Sequence, residues 1–342
     1  MFDRWAALLL ALLFLMSTTA QGQEVPQLVE YVVQRICLDE SGQPTSSLPF
    51  ESACASSRLQ RADDVAGYRK HDWPNTLADA ATSRGYQASD SVIERRGSRA
   101  LVIQTFDFGT DGRTFGRFDE GRGDGGQVLL FIGNWASFAM TEDGGGGVQW
   151  FIGANCRRPT GGDARFLSWL VFQSDIEPER WQSAVAKLNI ASTPGYCPSR
   201  FNDAFTRYRL DRVDFPVRIV VDDVQPVRLA RPALDMIVSE HYGGPDITTA
   251  DHLERFYFAK GLGLVRWERW ANGSIGQGVS VLDAHRQLQQ TARCPGIDKY
   301  AAPDRHWLLV DCRTWTTMVK QVGSWTVRDY RWPALDGLGA IE

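Results

Sequence analysis

Carboxylates, histidines and aromatic side chains crowd one stretch of the chain: Glu240-His241-Tyr242-Gly243-Gly244, then His252-Leu253-Glu254-Arg255-Phe256-Tyr257, then Arg266-Trp267-Glu268-Arg269-Trp270. Glycosidic hydrolysis needs two carboxyls, one protonated as an acid and one ionised as base or nucleophile. They lie about 5 Å apart for retention and about 6.5–9.5 Å apart for inversion. Glu240, Glu254 and Glu268 are the candidate catalytic carboxyls. His241 brings a different chemistry within reach, polysaccharide β-elimination, in which His or Tyr moves the proton and an arginine neutralises a uronate. Tyr242, Tyr257, Arg266, Trp267 and Trp270 are candidate substrate contacts, because flat rings stack on sugar C–H faces while charged groups bond hydroxyls. In a strand, Leu264, Arg266, Glu268 and Trp270 share one face and Val265, Trp267 and Arg269 the other. The same pattern also describes a sheet face of cross-strand ion pairs, and a lone strand-end histidine is more often structural than catalytic.

A second constellation, His71-Asp72-Trp73-Pro74-Asn75, follows Tyr68-Arg69-Lys70 and adds His71, Asp72 and Trp73 as candidate binding residues on a loop. The bland alternative is a proline-fixed turn with Trp73 plugging the core. Several signatures are missing: G-x-S-x-G, H-E-x-x-H, the P-loop, and a G-x-G-x-x-G set between a strand and a helix. Gly144 to Gly147 lacks the lysine that would reach a phosphate, so these glycines read as a hairpin. Asp107, Asp111, Asp119, Glu120 and Asp124 do not match the EF-hand spacing. No metal and no cofactor are expected.

The 342 residues carry 37 Lys+Arg against 41 Asp+Glu, a formal charge of -4, so no nucleic-acid partner is expected. With 43% hydrophobic residues the chain can bury a sizeable core. Arg4, an apolar run from Ala6 to Met16 and Ser17-Thr18-Thr19-Ala20 read as a signal peptide over residues 1–20. The run would span only about 16 Å against a hydrocarbon core of about 30 Å, so no stable membrane span is expected after cleavage. In the oxidising compartment this implies, six cysteines are expected to form three sequence-local disulfides: Cys37 with Cys54, Cys156 with Cys197, and Cys294 with Cys312.

These groups must be positioned by strands. LVIQTFDF from Leu101, QVLLFIGN, WASFAM, VQWFIGA and FLSWLVF alternate with glycine turns, and VRIVVDD, LDMIVSEHY, LERFYFA, LGLVRWERW and HWLLVDCRTW continue the pattern. Two helices are expected, about Glu177 to Leu188 and about Val281 to Ala292. Strands without regular intervening helices predict a mainly β protein, an antiparallel β-sandwich or jelly-roll-like fold with a few appended helices. Residues 21–99 read as an N-terminal extension packed on the core and 100–342 as the sandwich domain, with a weak sub-boundary near residue 225.

YRKHDWPN, ASFAMTEDGGGGVQWF and HLERFYFAKGLGLVRWERW together resemble a group of uncharacterised exported bacterial proteins. The resemblance implies a periplasmic or extracellular location and carries over no activity and no site residues. The function expected from the residues is an exported protein that binds, and through its carboxylates could cleave, a polysaccharide or envelope glycan. The alternatives are a non-catalytic binding or structural protein for envelope glycan or a protein partner, and a polysaccharide lyase.

Overall fold

The computed structural model describes residues 25–45, 47–59, 65–66, 71–73, 85–96, 99–107, 125–132, 135–143, 147–153, 169–191, 200–221, 224–275, 279–291, 297, 299–300, 305–314, 317–320 and 324–325. The expected signal peptide lies outside them. Helix α1 (Val25–Val32) leads into β1 (Arg35–Leu38), β2 (Ser56–Leu59), β3 (Val65–Ala66) and β4 (His71–Trp73). Then come β5 (Gly85–Arg96), β6 (Arg99–Asp107), β7 (Gly125–Ile132), β8 (Trp135–Asp143), β9 (Gly147–Gly153), β10 (Trp169–Gln173), β11 (Gln182–Ala191) and β12 (Asn202–Asp214). β13 (Val217–Val221), β14 (Val224–Ala230), β15 (Ala233–Tyr242), β16 (His252–Ala259) and β17 (Gly263–Asn272) precede helix α2 (Val279–Thr291), β18 (Trp307–Thr314), β19 (Thr317–Lys320) and β20 (Ser324–Trp325).

The protein is mainly β and antiparallel. One 13-stranded sheet runs β18-β17-β16-β15-β12-β11-β9-β8-β7-β6-β5-β4, with β10 pairing to β8 off this path. The order follows the chain closely, so most strands find their partner in a neighbouring segment, as a meander does. The sheet doubles back on itself in a sandwich-like way: β8 and β10 lie against the inner faces of β12, β15 and β16. Phe138 meets Phe256 at 5.0 Å between centroids, and Phe172 meets Phe258 at 6.2 Å. The hydroxyls of Ser239 and Tyr208 donate across the gap to Val171 O at 2.6 Å and Gln173 Oε1 at 2.7 Å. Leu28, Val29 and Val32 of α1 pack into this same core.

The opposite faces of β15 to β17 are covered too. Ile36, Leu48, Phe215, Val217, Ile219, Ile297 and Tyr300 pack there against Met236, Val238, Tyr257 and Val265. The middle of the sheet is therefore buried on both sides, which is why all seven consecutive residues from Met236 to Tyr242 are buried and show no inside–outside alternation. The tight link from β16 to β17 uses Gly261 and Gly263, whose φ of 78° and 76° favour glycine. Its Gly261 is clamped by α1 and β1, donating to Glu30 O at 2.8 Å and accepting from Arg35 N at 2.9 Å.

Three expectations about elements are corrected. The segment 177–188 is no helix: β11 begins at Gln182 and pairs with β12 and β9. Its buried Ala186 and Leu188 alternate with exposed Val185 and Lys187, a period of two that the Trp181/Ala184/Val185/Leu188 stripe mimicked. The boundary at 99/100 falls inside the β5–β6 hairpin, where Arg96 pairs with Arg99, so residues 85–96 belong to the main sheet. The weak boundary near 225 is a hairpin end, Val221 opposite Val224, in a three-stranded sheet whose Val217 and Ile219 lie in the shared core.

Candidate functional site

Ladder register sorts the candidate residues onto two faces. On the outer face, Arg207 of β12 lies opposite Glu240 of β15, Glu240 opposite Arg255 of β16, Arg255 opposite Glu268 of β17, and Glu268 opposite Cys312 of β18. On the inner face the neighbouring row reads Thr206, His241, Glu254, Arg269, Asp311. Glu254 and Glu268 therefore point to opposite sides of the sheet, as do His241 and Tyr242.

The outer row is an alternating ion ladder sealed from solvent from Glu240 onward, with Arg207 half-buried at its end. Glu240 is 0% exposed and Arg255 1%. Arg255 donates to Glu240 Oε1 from Nε at 2.8 Å and lies 2.7 Å from it through Nη2; its Nη1 reaches Glu268 Oε2 at 3.2 Å and Tyr300 O at 3.3 Å. Arg207 pairs with Glu240 Oε2 from the other side, and Tyr242 OH donates to the same oxygen at 2.6 Å. Glu268 receives Arg266 Nε at 2.7 Å, Trp270 Nε1–H at 2.9 Å and Tyr257 OH at 3.1 Å. One guanidinium thus joins two carboxylates, and all four oxygens have donors.

Burial by itself would push the Glu240 carboxyl up, but the charges of Arg255 and Arg207 and the hydrogen bonds from Arg207 and Tyr242 outweigh it and hold the group below its ordinary value. A general acid needs the opposite shift. The phenols are also spent. Burial pushes Tyr242 and Tyr257 upward, with the charges of Glu240 and Glu268 adding to it, so neither hydroxyl supplies a base. Beside the ladder, Asp211 pairs with Arg209 at 3.0 Å and Lys299 at 2.8 Å and accepts from Tyr300 OH.

His241 occupies the inner face in an aromatic box. Its ring centroid lies 4.8 Å from Trp169, 4.9 Å from Phe256 and 5.5 Å from Phe138. Burial drives its pKa down to about 3, so the imidazole is neutral. Ser239 Oγ, 2.9 Å from Nε2, already spends its proton on Val171 O, so Nε2 carries the imidazole hydrogen and donates. Among the described residues Nδ1 is left as an acceptor with no partner, and Thr206 Oγ1 and Trp169 Nε1 likewise have none. Each such buried group costs about 1–3 kcal/mol.

Further along the same row the face opens. Glu254 is half-buried, Arg269 exposed and Asp311 half-buried. Trp267, also half-buried, donates its indole N–H to Glu254 Oε2 at 3.4 Å. Of the expected substrate contacts whose side chains are described, Tyr242, Tyr257, Arg266 and Trp270 belong to the buried outer side, and Trp267 reaches solvent. His71, Asp72 and Trp73 form β4 rather than a loop, and their side chains lie outside the description.

Arg207, Asp211 and Tyr300, which complete the buried networks, were not legible as site residues. The signal was the alternation in NDAFTRYRLDRVD, whose charges concealed strand β12. Cys37 and Cys54 are disulfide-bonded with Cα atoms 5.5 Å apart, and Cys312 is disulfide-bonded as well. Cys156, Cys197 and Cys294 lie outside the described residues. Asn272 of the Asn272-Gly273-Ser274 sequon is buried, donating to Ala250 O at 3.0 Å and accepting Ser274 Oγ at 2.6 Å. Among the described residues no helix is long and apolar enough to cross a membrane.

Fold and site together define a mainly β antiparallel protein whose densest group of ionisable side chains is built into its interior. No family model matches the chain, and no curated protein or solved structure shows significant similarity to it.

Proposed function

We propose that the protein is an exported carbohydrate-binding protein that does not cleave its ligand, with Glu254, Trp267, Arg269 and Asp311 as the contact patch. The observation that carries this is the partition across the sheet. Glu240 and Glu268, the only expected carboxyl pair on one face, are neutralised by Arg207, Arg255 and Arg266 away from water. What reaches solvent is an indole beside a carboxylate beside a guanidinium, the combination that grips sugar rings by stacking and hydroxyl bonding. Export is supported by the leader pattern of residues 1–20 and by the disulfide chemistry of Cys37, Cys54 and Cys312. A bacterial envelope glycan is the ligand class that fits both.

The test is affinity electrophoresis of the purified, disulfide-intact protein in gels containing soluble polysaccharides, with reducing ends and unsaturated uronates assayed in parallel. Retardation that Arg269→Ala and Glu254→Gln both weaken, without released ends, is expected. Released ends that vanish in a folded Glu240→Gln variant would overturn the non-cleaving role. Absence of retardation across the panel would transfer the patch to a protein partner.

A further inference from the structure

At the open end of the ion ladder one guanidinium keeps most of its donors unused. Arg207 gives its Nε–H to Glu240 Oε2, and Glu240 is also held by Arg255 and by Tyr242 OH, so its charge is already divided between two guanidiniums. Among the described residues Arg207 Nη1 and Nη2 hydrogen-bond to nothing and are not sealed from water: the side chain is 19% exposed, and Glu240 beneath it 0%. The fork is nevertheless held still. The Trp181 ring lies under it, 4.4 Å from Cζ to the centroid, the Tyr242 ring flanks it at 5.7 Å, and Tyr300 braces Trp181 edge-on at 6.3 Å. Ser183, which is exposed, is the ladder partner of Arg207 on β11, so its hydroxyl stands beside the fork on the same face. Two residues along β12, about 7 Å away, Arg209 repeats the arrangement: it is 20% exposed above Asp211, which is 0% exposed, and Lys299 reaches that carboxylate from a position 35% exposed. Cations therefore stand at the surface with their counter-ions underneath, and Glu179, 3.8 Å from Lys299, is an exposed carboxylate at the far end of the strip.

We propose that the outer edge of Arg207 is a carboxylate-binding site and that its ligand is a uronate sugar of an acidic glycan. The two oxygens of the ligand accept from Nη1 and Nη2 side by side, a contact for which a planar fork is suited and an ammonium is not, and Ser183 Oγ–H donates to one of the same oxygens. Glu240 opposes this only weakly, because it lies on the far side of the guanidinium and Coulomb repulsion falls with separation. Arg209 and Lys299 continue the strip for the carboxylate of a neighbouring sugar in the same chain. The choice of a glycan rests on the function proposed above. The site itself does not, since it lies on the face of the sheet opposite to Glu254, Trp267, Arg269 and Asp311.

The experiment is calorimetric titration of the disulfide-intact protein with trigalacturonate and with trigalactose, the same chain with hydroxymethyl groups in place of the carboxylates. Trigalacturonate should bind about tenfold or more tightly than trigalactose, with an advantage that shrinks as salt is raised. Ser183→Asp sets a carboxylate opposite the fork and should cut trigalacturonate affinity by about tenfold, whereas Ser183→Asn, of the same shape and uncharged, should stay near wild type. Both changes fall on an exposed side chain, so the ladder beneath is left intact. Equal affinity for the two probes, or a Ser183→Asp variant that binds trigalacturonate as the wild type does, would overturn the site. Inorganic phosphate binding as tightly as trigalacturonate would overturn the uronate assignment. Trigalacturonate affinity lost in Arg269→Ala and kept in Ser183→Asp would move the carboxylate to the other face, while retention in Arg269→Ala, whatever becomes of that variant's gel retardation, separates this site from the patch proposed above.

Discussion

Removing the guanidinium at the centre of the ion ladder is the most direct perturbation of the structure. Arg255→Met keeps an unbranched apolar stem of similar length but withdraws the only charge that touches both Glu240 and Glu268. At an effective dielectric of about 20 and a separation of 4 Å, each lost contact is worth about 4 kcal/mol. Several kcal/mol return because a guanidinium no longer has to be stripped of water. The expected net loss at pH 7 is about 3–5 kcal/mol, the range for a buried pair broken from one side. Urea unfolding with an unchanged m-value reads it directly.

The pH dependence carries the sharper test. In the wild-type protein Glu240 is held below its unfolded pKa, so its contribution is present above that unfolded value and disappears only as pH falls through the lower folded one. In Arg255→Met, burial acts on Glu240 with only Arg207 and the Tyr242 hydroxyl opposing it, and the folded pKa rises. Protonation then favours the folded variant, so its deficit should be largest at neutral pH and shrink as pH falls toward 5. A loss of packing alone would be independent of pH. A deficit under about 1 kcal/mol at pH 7, or one that widens on acidification, would refute the neutralising role given to Arg255.

His241 should stay unprotonated by NMR down to about pH 4, because its folded pKa is about 3. Since the unfolded imidazole titrates near 6.5, the unfolded chain takes up the extra proton below that pH. The group's contribution is therefore complete above about pH 6.5 and declines by about 1.4 kcal/mol per unit below it, a slope that His241→Phe should flatten. The Cys37–Cys54 bridge closes a sequence separation of 17, so Cys37→Ser with Cys54→Ser should lower unfolding free energy by about 3 kcal/mol. Calorimetry of the double variant beside the wild type checks this, and an unchanged melting temperature would show that the hairpin region is held by its packing instead.

The strands that carry the ladder were legible because LDMIVSEHY, LERFYFA and LGLVRWERW combine β-branched and aromatic residues between turn residues, and the antiparallel mainly β class followed from them. β12 was hidden: in NDAFTRYRLDRVD charges interrupt the apolar positions, yet Asp211 is buried and Arg207 and Arg209 are half-buried, so a pattern that normally marks a solvated strand instead marks one partly covered on its charged face as well. β5 was missed for a related reason, its GYQASD half being polar and its pairing visible only through β4 and β6.

The fate of the carboxylates depended on a single residue of register. Parity within β17 correctly grouped Arg266, Glu268 and Trp270, but nothing within one strand says whether Glu254 of β16 joins them. That is fixed by the Gly261–Gly263 turn and by the register shift between Tyr257 and Phe258, and a slip of one residue would have put Glu254 beside Glu268. Which face is sealed is set from farther away, by Ile36, Leu48, Phe215 and Tyr300 closing over Tyr257. The same Glu–Arg–Glu composition on an open face would have made a groove capable of acid–base chemistry. Covered by those four side chains, with every carboxylate oxygen already bonded, it becomes a set of fixed charges that binds strands β12, β15, β16 and β17 together.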